Sequence, residues 1–292
     1  MILCAVDGSR HAQIALDMVR YALAHPGEPV LLAHVVDVRR FRPPKGADRA
    51  ARQAVADALF AAERHGRALL ARVKTPLVLE GLPVETKAVR GVPADALTSI
   101  AARRRPDLFV VGSRGLSDAK RFLLGSVSRH VVLAAACPVL VVKKRVPAFR
   151  RILVAADGSK ASRAALACLL RLPLPKLARF TVVSVVPPLP IEAGHGDVDA
   201  ALLERVLAPL RQEAERVARE AAAVIDRAGF EATPLVRHGH PAQELVKLAE
   251  AKDADLVAVG SRGLTGSDRL ALGSVSDGVV KYAPCAVLVV RK

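Results

Sequence analysis

The residues best suited to chemistry are glycines in a fixed spacing. Gly112, two residues, Gly115, nine residues, then Gly125 and Ser126 form a set that returns at Gly260, Gly263, Gly273 and Ser274. Each set follows a short apolar run, LFVV or LVAV, and ends where an apolar helical pattern begins. Glycine lets backbone N–H groups come close to phosphate oxygens, and the start of a helix offers unpaired N–H groups and a positive dipole end. The predicted chemistry is anion binding outside the carboxyl ends of parallel strands. One GxxG alone is as readily a pair of turn glycines. Two copies with identical spacing, both ending in GSVS, weigh toward a ligand.

Several neighbours have side chains that fit the same chemistry. Arg114 and Arg262 lie inside the GSRG loops as candidate phosphate contacts, although an exposed loop arginine needs no ligand. Ser9, Ser159, Ser128 and Ser276 are candidate phosphate contacts or helix caps, with capping the expected role. His238 and His240 flank Gly239 as a His-x-His pair, but no third metal ligand is near and Val92 replaces His240 in the first copy, so no metal site is expected. The sequence has no GxxxxGK[ST] lysine and no kinase catalytic loop, and it assigns no catalytic residue.

The elements that must hold these residues come in two copies. DLFVVGSRGLSDAKRFLLGSVSRHVV returns 148 positions later as DLVAVGSRGLTGSDRLALGSVSDGVV, and ILCAVDGS at Ile2 returns as ILVAADGS at Ile152. Within the nine-residue spacer Asp118 stands opposite Gly266 and Lys120 opposite Asp268, so the electrostatics of the two copies differ. The boundary falls near Val146 to Phe149, predicting domains 1–146 and 147–292 joined by a short linker. Strands are predicted at Ile2–Val6, Val30–Val36, Val84–Val89, Leu108–Val111 and Val139–Val142, with counterparts opening at Ile152, Thr181, Ala232, Leu256 and Val287. Helical patterns lie between them. The one after the first strand carries Ala12, Ala15, Leu16, Val19, Ala22 and Leu23 on one face, and its counterpart Ala161, Ala165, Cys168, Leu169 and Leu172; Pro93 and Pro241 suit first helical turns, and long helices are predicted over Ala47–Val73 and Asp197–Asp226, the latter kinked or interrupted by Pro209. PPLPIEAGHG at Pro187 reads as a loop. Alternating strand and helix implies right-handed crossovers and a parallel sheet covered on both faces.

Composition narrows the class. With 292 residues, 52% of them apolar but only 3% aromatic, the core must be built from Ala, Val and Leu, as buried parallel strands are. The formal charge of +16 is spread over both halves apart from clusters at Arg39, Arg40, Arg42 and Lys45 and at Arg103 to Arg105. Without an aromatic stacking platform or a recognition motif, it reads as a solvated surface, not a nucleic-acid site. Four cysteines scattered through apolar segments predict neither disulfide nor zinc. No stretch is long and apolar enough for a bilayer, and MILCAVDGS lacks the basic start of a signal peptide, so a cytoplasmic location is expected.

The VDGS or ADGS turn after the first strand, the GxPA turn, the G-x2-G-x9-G-[ST] element and the closing CPVLVV-like strand together resemble the universal stress protein family, over nearly the whole chain twice. The resemblance implies two tandem Rossmann-like α/β domains, each a five-stranded parallel sheet of order 3-2-1-4-5, and ATP as ligand. It implies that Asp7 and Asp157 lie near the adenosine, beside any role in the DGS turn, and that Val35 and Val185 line the base pocket. Val111, Gly112 and Gly115, with Val259, Gly260 and Gly263, would embrace the ribose and phosphates. Gly125, Ser126 and Val127, with Gly273, Ser274 and Val275, would close the triphosphate site, any magnesium being held through the phosphates and water. It further implies dimerisation through the last strand, which in a tandem chain would give an internal pseudo-dimer, with homodimers also open. The function implied is a nucleotide-dependent regulator or sensor in stress response acting on a protein partner. The alternatives are a slow ATPase or nucleotidyl-transferring enzyme of the same fold, with at most weak hydrolysis or autophosphorylation, and a nucleotide-free interaction scaffold.

Overall fold

The computed structural model describes residues 1–115, 124–188, 200–261 and 272–291, in two compact units, Met1–Pro147 and Ala148–Lys292. In the first, β1 (Ile2–Ala5), α1 (Arg10–Met18), β2 (Val30–Asp37), α2 (Arg49–Leu79), β3 (Val84–Gly91), α3 (Pro93–Arg104), β4 (Leu108–Gly112), α4 (Ser126–Ala134) and β5 (Val139–Val142) alternate along the chain. The strands are parallel, in the order β3-β2-β1-β4-β5. The second unit repeats this with β6 (Arg151–Ala155), α5 (Lys160–Leu169), β7 (Arg179–Val186), α6 (Ala200–Arg227), β8 (Glu231–His238), α7 (Pro241–Ala251), β9 (Leu256–Gly260), α8 (Ser274–Tyr282) and β10 (Ala286–Val290). Its parallel order is β8-β7-β6-β9-β10.

Each sheet winds outward from its first strand and then returns to the other side of it. With right-handed crossovers, α1 and α2 cover one face and α3 and α4 the other. That leaves a crevice where the order reverses, at the carboxyl ends of β1 and β4 or of β6 and β9. The strands flanking the reversal are apolar throughout because both faces are covered; β4, β5, β9 and β10 are almost wholly buried. The edge strands β3 and β8 carry exposed residues such as Glu85, Thr86 and Arg237, as strands with one free edge do.

Two expectations from the sequence need correction. Pro209 does not interrupt the second long helix, and the first is longer than expected. α6 runs unbroken through Pro209, and α2 continues past Val73 through Pro76 to Leu79. The lost amide hydrogen bond is offset by the apolar stripe beyond it: Leu77 and Ile225 are completely buried against their sheets. The helix following β1 does not continue regularly to Leu23. α1 ends at Met18 and the chain makes one wider turn over Val19–Leu23, with the Ala24 amide bonding to the Val19 carbonyl five residues back at 2.8 Å. Pro93 and Pro241 do open α3 and α7.

None of the four cysteines forms a disulfide. Burial pushes the Cys4 thiol up to about 12 and that of Cys137 up to about 11. At about pH 8 the folded protein is therefore expected to resist iodoacetamide at Cys4 and to react there only after unfolding, which mass spectrometry of the alkylated chain reads directly. The thiolate is disfavoured only in the folded state, so this stabilisation is present below the ordinary thiol pKa of 9.0 and declines as pH rises toward 12. No helix among the described residues is long and apolar enough to cross a membrane.

Candidate functional site

At the crevice of the first unit a cavity of about 340 Å³ opens between the DGS turn, the end of β2, the glycine loop after β4 and the start of α4. The eight residues that the resemblance assigns to nucleotide in this half, Asp7, Val35, Val111, Gly112, Gly115, Gly125, Ser126 and Val127, all border it.

The DGS turn is a local device. Asp7 Oδ1 accepts from the Ser9 amide at 2.9 Å, Gly8 takes a positive φ of 83°, and Ser9 Oγ caps α1 by accepting from the Ala12 amide at 3.1 Å. The Ser9 hydroxyl also donates to the Arg114 carbonyl at 3.4 Å, which ties the turn to the glycine loop. Gly115 leaves room for the aspartate, since a Cβ there would stand 2.9 Å from Asp7 Oδ2. Asp7 thus serves the turn and faces the crevice together.

Gly112 has a role that the sequence did not disclose. A Cβ on it would come within 2.5 Å of the His11 carbonyl carbon and 2.8 Å of the Ala12 nitrogen, so β4 and the first turn of α1 touch backbone to backbone. Beyond it, Gly125 is extended (φ −63°, ψ 151°), its amide donates to Ser113 O at 2.8 Å, and α4 starts without a side-chain cap. The first amides of an uncapped helix have no intrahelical acceptor, and here they border the cavity. Ser128 borders the cavity but is not a cap; it is buried, and its hydroxyl donates to Gly112 O at 2.6 Å, fastening α4 to the end of β4.

Other residues of the cavity wall were missed or misread. The chain after β2 makes a short turn of 3₁₀ helix at Val38–Phe41, which places Arg39, Arg40 and Phe41 on the wall, so two arginines of the cluster read as solvated surface face the site. Asp37 binds Arg39 Nη2 at 2.7 Å, and this pairing holds its carboxyl below the usual range. Arg114 borders the cavity as well. On the β2 side, His34 Nδ1–H donates to Val6 O at 2.8 Å, and its ring lies where a Cβ on Gly66 of α2 would fall. A lone glycine inside a long helix was the signal available in the sequence. Gly66→Ala is expected to destabilise the unit by about 1–2 kcal/mol through overpacking, against the roughly 1 kcal/mol that the same change contributes in an open helix. Urea denaturation of the variant checks the sign.

The second unit repeats the framework. Asp157 Oδ1 accepts from the Ser159 amide at 2.9 Å, Val185 lies in β7, and Val259 and Gly260 end β9. Gly273 (φ −62°, ψ 150°) bonds to Ser261 O at 2.8 Å before Ser274 and Val275 open α8. Ser276, like Ser128, donates to backbone carbonyls, those of Ser261 and Gly273, each at 3.0 Å. Gly263, Arg262, Asp118, Lys120, Gly266, Asp268 and most of the PPLPIEAGHG segment lie outside the described residues. The β1–β2 and β6–β7 registers place Ser184 where the first unit has His34, so the imidazole is particular to one half. His238 ends β8 and His240 precedes α7, and no group of three or more His, Cys, Asp or Glu side chains gathers as a metal site among the described residues.

Two doubly wound parallel sheets in tandem, each with a glycine loop and a helix start at its switch point, define a protein of the Rossmann-like α/β class. The sequence profile of the universal stress protein family matches residues 1–143 and again 148–291. The chain belongs to that family. It is 29% identical to a universal stress protein of Mycolicibacterium smegmatis over 310 aligned positions, covering 99% of this chain and 96% of that one. A Thermus aquaticus universal stress protein is 36% identical over 143 residues, 49% of this chain and 99% of its own. Among solved structures, a universal stress protein from Archaeoglobus fulgidus superposes with a TM-score of 0.66 at 22% identity, covering 99% of this chain and 97% of that one, a likeness of fold.

Proposed function

We propose that the chain is an ATP-binding regulator of the stress response, acting in the cytoplasm, in which nucleotide occupancy sets the conformation of the site loops and so the affinity for a protein partner. The observation that carries this reading is the first-unit crevice, where an uncapped helix start and three arginines, Arg39, Arg40 and Arg114, meet a wall of Val35 and Phe41 within about 340 Å³. That volume lies in the range of roughly 300–1,000 Å³ that small-molecule sites occupy. In this reading Asp7 and Val35 receive the adenosine. Val111, Gly112 and Gly115 flank the ribose and phosphates, and Gly125, Ser126 and Val127 close the triphosphate site, with the amides of Ser126 and Val127 donating to phosphate oxygens while that of Gly125 stays bonded to Ser113 O. Asp157, Val185, Val259, Gly260, Gly263, Gly273, Ser274 and Val275 take the same roles in the second unit. Magnesium would be held by the phosphates and water. Arg40 and Arg114 add positive charge beside the phosphates, an electrostatic gain that needs no proton transfer.

The test is the nucleotide content of the native protein by mass spectrometry, followed by calorimetric titration of the stripped protein with ATP and magnesium. Bound adenine nucleotide, or saturable ATP binding with one or two sites per chain, is the expected result. No binding of any adenine nucleotide would leave the crevice as a structural feature of a scaffold.

A further inference from the structure

A second cavity, of about 560 Å³, lies in the other unit between α5 and α6 and over the end of β6. Ala156 and Gly158, which flank Asp157, form part of its wall, but none of the residues assigned to nucleotide does.

Its origin is visible by comparing the two units. A Cβ on Gly8 would meet Leu69 of α2, and one on Gly158 would meet Val217 of α6, so Leu69 and Val217 are equivalent positions. On that register Val6, Leu69 and Val73, all buried in the first unit, become Ala156, Val217 and Ala221. Every one of these changes makes the side chain smaller at the same seam between the helices and the sheet. The seam of the second unit is therefore hollow, with Val154, Leu166, Val217 and Val224 left facing the space. Unfilled apolar volume forfeits dispersion contacts on its lining, and an apolar occupant restores them.

The mouth is basic. Arg163, Arg216 and Arg227 border it beside a single carboxylate, Glu220. Gln13 stands at the place of Arg163 in the first unit, and Ala68 and Leu79 at those of Arg216 and Arg227. Arg216 is engaged by Glu213 and Glu220, and Arg163 donates to the Gly158 carbonyl. Arg227 forms no ion pair among the described residues. Ser162, the one hydroxyl on the wall, already donates to Ser159 O at 3.1 Å. Nothing in the depth of the groove offers the polar contacts that a base or a sugar requires.

We propose that this groove is a binding site for a single amphipathic anion, an aliphatic chain bearing a carboxylate, with the chain in the α5–α6 seam and the carboxylate at Arg227 and Arg216. The ligand is one dispersed molecule, because the seam is a bounded volume and not a face on which a bilayer could lie.

Calorimetric titration of the full chain with decanoate, below its micelle concentration, tests this. One saturable site per chain is expected, with unchanged affinity when ATP and magnesium are present at saturation. Arg227→Gln should weaken decanoate by about tenfold, the loss of one charge-assisted hydrogen bond, and decanol should bind at least about tenfold more weakly than decanoate for the same reason. Ala221→Phe fills the seam and should abolish binding. If that variant does not fold, Val224→Asp, at a position 38% exposed, sets a like charge beside the chain and should do the same. The proposal is overturned by the absence of saturable heat, by decanol binding as tightly as decanoate, by displacement with ATP, or by wild-type affinity in the seam variants. None of these outcomes depends on whether the crevice of the first unit binds nucleotide.

Discussion

Gly125→Asp is expected to weaken ATP binding at the first unit by about 100-fold while leaving the fold at least as stable. The backbone at Gly125 is extended and open to any residue, and the position is the N-cap of α4, where aspartate is among the favoured types. The new carboxylate accepts from the first-turn amides and interacts well with the helix dipole, so a few tenths of a kcal/mol of stability are gained. The same carboxylate occupies the proposed anion site. A unit charge about 6 Å from a phosphate, at an effective dielectric near 20, repels it by about 3 kcal/mol, or roughly 100-fold in affinity. Thermal melting and ATP calorimetry of one preparation read the two effects separately. Gly273→Asp repeats the experiment in the second unit, where Gly273 has nearly the same backbone angles. A double variant that still titrates like the parent would place the phosphates elsewhere and sink the assignment.

The second large effect concerns packing, not charge. Gly112→Ala is expected to destabilise the first unit by about 3 kcal/mol, at the upper end of what overpacking a tight contact costs. The added Cβ would meet main-chain atoms of His11 and Ala12 at 2.5 to 2.8 Å, and backbone in the first turn of a helix cannot rotate aside as a side chain can. Relief would require α1 to move off β4, which would strip buried contacts from Ala12, Ala15 and Leu16. Gly260→Ala should behave alike, since its Cβ would come 2.6 Å from the Ala161 carbonyl carbon and 2.8 Å from the Ser162 nitrogen. Urea denaturation with the linear extrapolation measures both. A loss below about 1 kcal/mol at either position would mean that the strand–helix contact is softer than backbone-to-backbone packing allows.

The amino-acid sequence by itself determined the duplicated pattern, the run of parallel strands and the family, because these features are written in local signals. Strand after strand of Val, Ile and Leu between helical periods dictates a sheet buried on both faces, and the spacing from Gly112 to Ser126 repeats from Gly260 to Ser274. Helix starts at Pro93 and Pro241 and the caps at Ser9 and Ser159 were legible for the same reason, since each is settled by residues three or four positions away. Tertiary structure alone decided what depends on contacts between distant segments. The passage of α2 through Pro76 and of α6 through Pro209 is set by the burial of Leu77 and Ile225, which outweighs local propensity. Arg39, Arg40 and Phe41 joined the crevice wall only because the turn after β2 brings them to the side of the cavity that the glycines after β4 also line. Gly112 makes room for α1, Gly66 for His34, and the seam in the second unit is open because three side chains at separate points of the sequence shrank together. Volume at a point in space is shared among segments that do not know one another in sequence, so it is fixed only when they pack.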